Sequence, residues 1–212
     1  MNLILMGPPG AGKGTQGEIL AKKLNIQTIS TGVMLRSAMK EGTEVGKVAA
    51  KYINDGLLVP DSVIVDVVKE RLSKPDVKDG FILDGFPRTV AQAKALTETG
   101  LKIDKVLSID VSDDEIVGRL SSRRECSKCG APYNVVSNKP AQEGICDKCG
   151  GELIQRADDV PETIMNRLSI YHNETEPILD YYNEMGLLVT AKGQPLLEDT
   201  VKCVFAALGI ED

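Results

Sequence analysis

Residues 7–15, with the sequence GPPGAGKGT, restrict the fold of this 212-residue chain more than any other stretch. They follow a short apolar run, residues 2–6, and precede an amphipathic run, residues 16–24, which predicts a buried strand, a loop and a helix. The loop matches the phosphate-binding pattern G-x-x-x-x-G-K-[ST] in a variant form, because Gly14 precedes the hydroxyl residue, Thr15. The order of strand, loop, lysine and helix favours a phosphate-binding loop over the alternative, a plain glycine-rich turn.

The residue types in this loop suit an anionic ligand. The glycines let backbone N–H groups surround phosphate oxygens, and the following helix directs its N-terminus at the same anion. Lys13 is long enough to reach terminal phosphates, and Thr15 supplies a hydroxyl for a magnesium ion. We therefore predict that the loop binds the phosphates of a nucleotide.

The rest of the chain alternates short apolar runs with longer helical patterns. Strands are predicted at residues 26–29, 81–83, 106–109 and 187–190, each too short and too apolar for an exposed sheet. Helices are predicted at residues 61–72, 90–98, 113–120 and 161–185. This alternation predicts one α/β domain, a doubly wound parallel sheet of five strands flanked by helices.

Arginines stand near the ends of the predicted strands and around the cysteine-rich segment described below. Each of them alone is typical of a solvated surface charge. Together, in a chain with a net charge of −6, they indicate clamps for phosphate groups. The set comprises Arg36, Arg88, Arg119, Arg123, Arg156 and Arg167.

Four cysteines form two Cys-x-x-Cys-Gly knuckles with the spacing C-x2-C-x16-C-x2-C, which is typical of a tetrahedral zinc site. They are Cys126, Cys129, Cys146 and Cys149. A redox pair is the competing interpretation, but two paired knuckles favour the metal. Because four thiolates leave no open coordination position, the zinc is predicted to be structural, holding together a segment with little apolar content.

The composition bears on partners and compartment. The net charge of −6 argues against a surface built to bind nucleic acid or an anionic membrane. The N-terminus lacks a basic leader, and no apolar run reaches the length of a spanning helix, so we expect a cytoplasmic protein. In that reducing compartment the five cysteines are not expected to form disulfides, and Cys203 is expected to pack on the core face of a C-terminal helix.

Three stretches, GPPGAGKGTQ, DGFPRT and QRADD, together resemble the adenylate kinase family in its long-lid bacterial form, and the resemblance covers essentially the whole chain. It implies a P-loop nucleoside monophosphate kinase fold and transfer of the terminal phosphoryl group of Mg-ATP to AMP, giving two ADP. It also implies a monomer with three parts. These are a CORE (1–29, 60–121 and 160–212), an AMP-binding flap (30–59) and a zinc-ribbon-like lid (122–159).

The same resemblance implies roles for individual residues. The catalytic set would be Lys13, Asp84, Arg88, Arg123, Arg156 and Arg167. ATP would contact Gly10, Ala11, Gly12, Lys13, Gly14, Thr15, Arg119, Arg123 and Tyr133. AMP would contact Thr31, Arg36, Leu57, Leu58, Val59, Gly85, Phe86, Pro87, Arg88, Gln92, Arg156 and Arg167.

The chemistry implied by this resemblance needs no general base, because a phosphate monoester is largely dianionic at neutral pH. The lone histidine, His172, is therefore expected to be an exposed helix residue and not a proton carrier. One position departs from the family pattern: Val33 stands where relatives carry an aspartate near the magnesium ion, which leaves Asp84 as the main carboxylate and predicts weaker magnesium handling.

Two alternatives of different kinds stay open. A zinc-ribbon nucleic-acid binder that uses ATP as a switch would need a basic, aromatic ribbon, but the segment between the cysteines holds three lysines, no arginine and one tyrosine. A kinase for another nucleoside monophosphate is the closer rival. Gln92 and Thr31 suit adenine by resemblance only.

Overall fold

The protein is described by a computed structural model covering residues 1–211. Its strands are β1 (Asn2–Met6), β2 (Gln27–Ser30), β3 (Phe81–Asp84), β4 (Lys105–Asp110), β5 (Arg123–Cys126), β6 (Pro132–Asn134), β7 (Leu153–Ile154) and β8 (Leu188–Lys192). Its helices are α1 (Lys13–Leu24), α2 (Thr31–Glu41), α3 (Glu44–Ile53), α4 (Asp61–Leu72), α5 (Val90–Glu98), α6 (Asp113–Ser121), α7 (Pro161–Ile170), α8 (Pro177–Glu184) and α9 (Leu197–Leu208).

The central sheet is parallel and, within residues 1–211, contains five strands in the order β2-β3-β1-β4-β8. This confirms the predicted sheet, and each predicted strand lies within one or two residues of the observed one. The chain leaves β1 toward one side of the sheet and later crosses to the other side at β4. Such a reversal opens a crevice at the carboxyl ends of the strands, where ligands bind in α/β folds.

The sheet is buried on both faces. Alternate residues of β1 join different apolar layers: Ile4 and Met6 pack in one, whereas Leu3 and Leu5 pack in the other. The side chains of these residues are at most 2% exposed. Burial on both faces explains why the strand reads as a continuous apolar run.

The segment predicted as one helix over residues 161–185 differs from that expectation. It consists of α7, a π-helical turn at Tyr171–Thr175, and α8. The cause is Pro177, whose ring nitrogen cannot donate to the carbonyl four residues earlier and whose ring crowds that carbonyl. The wider turn is closed instead by a hydrogen bond from the Glu176 N–H to the Tyr171 carbonyl at 2.8 Å.

A small antiparallel sheet, ordered β6-β5-β7, carries the cysteine knuckles. Its core consists of Cys126, Ala131, Tyr133 and Cys146 with Leu153 packed against them, which agrees with the predicted shortage of apolar residues there. Cys203 lies half-buried on α9 against the main core, as predicted. Along residues 1–211, no helix has both the length and the apolar character needed to cross a bilayer.

Candidate active site

The glycine-rich loop joins β1 to α1 at the carboxyl edge of the sheet. Gly7, Gly10 and Gly12 have φ values of 132°, 82° and 95°, which other residues rarely adopt. A Cβ at Gly7 would lie 2.5 Å from the carbonyl oxygen of Ile109 on β4, so only glycine fits there. Helix α1 begins at Lys13 and directs its N-terminus into the crevice.

Lys13 folds back over this loop. Its Nζ donates to the carbonyl oxygens of Gly7 and Pro8, both at 2.7 Å. The pKa of Lys13 is lowered to about 7, mainly by burial and also by Arg88 and Arg167, whereas Asp84 opposes the shift. Lys13 is thus poised to gain a proton when an anion arrives.

The loop forms one wall of a cavity of about 720 Å³. Almost all the predicted nucleotide contacts line it. These are Gly10, Ala11, Gly12, Lys13, Gly14, Thr15, Thr31, Arg36, Leu57, Leu58, Val59, Asp84, Gly85, Pro87, Arg88, Gln92, Arg119, Arg123, Tyr133, Arg156 and Arg167. Phe86 is the exception, since it is 1% exposed and packs in the apolar core below.

The loop after β3 forms the floor of this cavity. The hydroxyl of Thr31 and the Nε of Arg88 both donate to the Gly85 carbonyl at 2.8 Å. The amide of buried Gln92 is held at both ends: its Oε1 accepts from the Arg88 N–H and its Nε2 donates to Asp61, both at 2.7 Å. One N–H of Gln92 remains as a donor for a ligand.

Three further arginines approach the cavity from the other side, each paired with a carboxylate. Arg123 donates twice to Asp159, at 2.7 and 2.5 Å, and Arg167 donates to the same carboxylate at 3.0 Å. Arg156 pairs with Glu125. Their positions are thus fixed before any phosphate binds.

Arg36 and Arg119 complete the positive lining. The pKa of Arg36 is lowered to about 10, mainly by burial and next by the charge of Arg156. Lys40 on α2 also donates to the Ser127 carbonyl at 3.4 Å. Arg119 donates to the Gln194 carbonyl at 3.0 Å. Residues 30–59 and the cysteine-rich segment thus contact each other, and both line the cavity.

Strand β5 presents different chemistry on its two faces, because side chains alternate along a strand. Arg123 and Glu125 lie on one face and form the ion pairs with Asp159 and Arg156. Cys126 lies on the other face, in the small core that also contains Tyr133.

The four cysteines of the knuckles meet at one point, where their sulfur atoms all lie within 4.8 Å of one another. The Cys126 and Cys149 sulfurs are 3.5 Å apart, and those of Cys129 and Cys146 are 3.6 Å apart. Tetrahedral zinc with Zn–S bonds of about 2.3 Å needs S···S distances of roughly 3.8 Å. The N–H groups of Lys128 and Cys129 also donate to the Cys126 sulfur. The donor set and its size fit a thiophilic metal ion.

Comparisons with known proteins agree with this geometry. A family model described as "Adenylate kinase" matches residues 5–187. The chain belongs to the adenylate kinase family. It is 56% identical to the adenylate kinase of Caldicellulosiruptor bescii and 54% identical to that of Caldicellulosiruptor saccharolyticus, in both cases over the full length of both chains. It is 53% identical to the adenylate kinase of Acetivibrio thermocellus, over 98% of each chain.

Membership of the adenylate kinase family confirms the predicted P-loop nucleoside monophosphate kinase fold and the predicted activity, phosphoryl transfer between Mg-ATP and AMP. Adenylate kinases bind ATP, AMP and ADP. The zinc-ribbon nucleic-acid binder is therefore not supported.

The carboxylates that hold the arginines of this chain were not predicted from the sequence. The sequence predicted no role for Asp158, Asp159 or Glu125, although the side chain of Asp159 has no exposed surface. The available signal was the acidic pair Asp158 and Asp159, which follows Arg156 after one intervening alanine. A buried carboxylate pair needs cationic partners, and arginines are the natural choice.

The structure shows how Tyr133, His172 and Val33 lie relative to the cavity. Tyr133 lines the cavity, but its hydroxyl faces the cysteine cluster, where it contacts the Cys146 sulfur at 3.5 Å. His172 is exposed, as predicted, and pairs with Asp113 and Glu176 outside the cavity. Val33 is 60% exposed and lines the cavity wall.

Proposed function

We propose that this chain transfers the terminal phosphoryl group of Mg-ATP to AMP inside the 720 Å³ cavity. The observation that supports this most strongly is the convergence of Lys13, Arg88 and the carboxylate-held Arg123, Arg156 and Arg167 on one space. These groups offer more cationic hydrogen-bond donors than one triphosphate needs. They suit two nucleotides that meet phosphate to phosphate.

The proposed chemistry is positioning and charge neutralisation. The AMP phosphate attacks as a dianion, so no side chain needs to remove a proton. Lys13 and the arginines hold the two phosphate chains in line and neutralise the charge that spreads over the transferred group. Covering of the cavity from two sides keeps water, a competing acceptor, away from the reacting phosphate.

We assign the individual contacts according to the predicted division. ATP is assigned to the Gly10–Thr15 loop, Arg119, Arg123 and Tyr133, the last through its ring because its hydroxyl faces the cysteines. AMP is assigned to the β3 loop, Gln92 and the residue 57–59 backbone, together with Thr31 and Arg36. Phe86 is assigned an indirect part, since it is buried beneath the cavity floor.

The donors near the loop suit magnesium that arrives with ATP. Magnesium keeps much of its water and takes one or two protein oxygens besides phosphates. Asp84 is nearly buried, accepts from Ser30 at 3.0 Å, and lies close to Gly14, where a Cβ would be 3.8 Å from its Oδ2. Thr15 and Asp84 would hold the ion, which when bound screens the charge of the phosphates.

The cysteine cluster is proposed to hold one structural Zn²⁺. Four sulfur ligands complete a tetrahedral shell, so the metal would stabilise the segment without contacting substrate. We further propose the three-part division into CORE (1–29, 60–121 and 160–212), AMP-binding flap (30–59) and lid (122–159). The chain is proposed to act as a cytoplasmic monomer without nucleic-acid or membrane partners.

Turnover of the purified chain with Mg-ATP tests the proposal. AMP, GMP, CMP and UMP are offered as acceptors at equal concentrations, and nucleoside diphosphate formation is measured. We expect AMP to give the highest kcat/KM by a wide margin, with Arg88→Ala as the inactive control. A higher kcat/KM for another monophosphate would replace AMP as the substrate, and the absence of turnover with all four would refute the proposal.

A further inference from the structure

Thr175 lies at the end of the π-helical turn and contacts the catalytic loop from behind. It is 8% exposed, and its hydroxyl donates to the backbone carbonyl of Arg88 at 2.8 Å. The two residues are 87 positions apart in the chain, so this bond ties the α7–α8 region to the loop after β3.

The peptide groups of Arg88 are held on both sides by buried side chains. Gln92 accepts from its N–H at 2.7 Å, and Thr175 donates to its carbonyl at 2.8 Å. Thr89 is the N-cap of α5, so the Arg88 carbonyl precedes the hydrogen-bond ladder of that helix. A side chain from elsewhere is therefore needed to orient this carbonyl.

Such anchoring matters because the Arg88 side chain itself is exposed to the cavity. A long side chain in an open space keeps much of its rotamer freedom, and ordering it costs free energy when a ligand binds. Fixing the backbone from which it projects, together with the bond from its Nε to the Gly85 carbonyl, reduces that cost.

The π-helical turn explains why Thr175 faces the loop. A π turn inserts one residue relative to a regular α-helix and rotates the side chains that follow it, and such turns are common at functional sites. Here the turn follows from Pro177, and Thr175 is its last residue. The distortion therefore places a hydroxyl where the Arg88 carbonyl requires a donor.

We propose that Thr175 is a positioning residue that orients Arg88 toward the phosphate of the acceptor nucleotide. This inference rests on the proposed function, in which Arg88 grips AMP. Thr175 contacts the backbone of Arg88 and acts on the nucleotide only through it.

The test compares Thr175→Val, which keeps the shape and removes the hydroxyl, with Thr175→Ser, which keeps the hydroxyl. We expect Thr175→Val to lower kcat/KM for AMP by about three- to tenfold, the worth of one hydrogen bond, with KM for ATP within about twofold of wild type. Thr175→Ser should stay within about twofold of wild type for both substrates. Thr97→Val serves as the control, because it removes a hydroxyl that bonds the Ala93 carbonyl at 3.1 Å and the Tyr181 hydroxyl at 3.0 Å but does not contact Arg88.

A double-mutant cycle separates this role from general packing. AMP affinity is measured by calorimetry for Thr175→Val in the wild-type and Arg88→Ala backgrounds. If Thr175 acts through Arg88, the loss of affinity should disappear in the Arg88→Ala background. Should Thr175→Val fail to fold, Thr175→Ala takes its place, because it also lacks the hydroxyl.

Several outcomes would overturn the inference: unchanged kcat/KM for AMP in Thr175→Val, an equal loss in Thr175→Ser, or an equal loss in both backgrounds of the cycle. Failure of the wild-type chain to convert ATP and AMP to ADP would instead refute the proposed function. If the wild type is fully active and Thr175→Val has an unchanged kcat/KM for AMP, only the positioning role would be refuted.

Discussion

Arg88 is the residue at which the geometry and the chemistry of the site meet most directly. Its Nε donates a hydrogen bond to the Gly85 carbonyl at 2.8 Å, which leaves the terminal nitrogens as the donors for a phosphate. A planar guanidinium can make both contacts at once, whereas a lysine ammonium is a point charge.

We therefore predict that Arg88→Lys lowers kcat/KM by about 10- to 100-fold, the equivalent of one charge-assisted hydrogen bond. Because the side chain is exposed, the free energy of unfolding should change by less than about 0.5 kcal/mol. Steady-state kinetics and urea unfolding on the same sample check both parts. Wild-type turnover in Arg88→Lys would remove Arg88 from the catalytic set.

The lowered pKa of Lys13 predicts that nucleotide binding takes up a proton. With a pKa of about 7 in the free protein, Lys13 is mostly neutral at pH 8, and the phosphates should raise its pKa and protonate it. Calorimetric titration with ATP in two buffers of different ionisation enthalpy measures this uptake. Lys13→Met should abolish it, and equal heats in both buffers for the wild type would show that Lys13 is already charged.

Val33 offers a test of magnesium handling, because its side chain is 60% exposed and lies on the cavity wall. We predict that Val33→Asp lowers the magnesium concentration needed for half-maximal activity, since a second carboxylate could accept from a metal-bound water. A magnesium titration of turnover is the measurement, with Val33→Asn as the uncharged control. Superimposable titrations would place position 33 away from the ion.

At the scale of elements, the side chain of His172 links the π-helical turn to the neighbouring helix α6. The ring nitrogens contact Glu176 at 2.7 Å and Asp113 at 3.1 Å. These carboxylates, Glu176 first, raise the pKa of His172 above its usual value. These pairs stabilise the segment that contains Thr175, whose hydroxyl bonds the Arg88 carbonyl.

This raised pKa predicts a pH dependence of stability with a definite sign. The stabilisation is fully present below the unfolded-state pKa of about 6.5 and is lost as the pH rises through the higher folded-state value. His172→Gln should cost at most about 1 kcal/mol at pH 5.5, because the pairs are exposed, and almost nothing at pH 9. Urea unfolding of both proteins at the two pH values tests this, and a cost that grows with pH would contradict it.

The bounds of these elements show which parts of the fold could be predicted from the sequence. Helices α4 and α5 have the predicted bounds, and the strands differ little from prediction, because hydrophobic period and burial dictate them. The π turn was not predicted, because the apolar residues before and after it both have helical spacing, and one extra residue between them does not show in that pattern. The ion pairs of Asp159 and Glu125 were not predicted either, because such partners are set by tertiary packing and not by local pattern.

At the scale of the whole molecule, the cysteine cluster is the only group in residues 1–211 with the geometry of a closed metal site. The small core around it has few apolar side chains, so a metal ion would add its binding free energy to folding. Four sulfur ligands would leave such an ion no coordination position for a nucleotide.

We predict one zinc ion per chain and a fall in Tm of at least about 10 °C when a strong chelator removes it or when Cys129→Ser is made. Well below the lowered Tm and in excess magnesium, the zinc-free protein should turn over at a rate of the same order as the holoprotein. Metal analysis, calorimetry and turnover on the same sample give the answer. Complete loss of turnover with an intact fold would mean that the metal takes part in catalysis.

The two-faced strand β5 has a consequence for how this protein can change in evolution. Arg123 and Cys126 belong to one stretch of four residues, and a shift of one position would exchange the faces of the strand. Substitutions can alter the nucleotide-facing residues and the cysteine-facing residues independently of each other. An inserted or deleted residue between Arg123 and Cys126 would put both side chains on the same face, so the ion pair with Asp159 and the cysteine cluster could not both form. The length of this strand is therefore constrained more tightly than its composition.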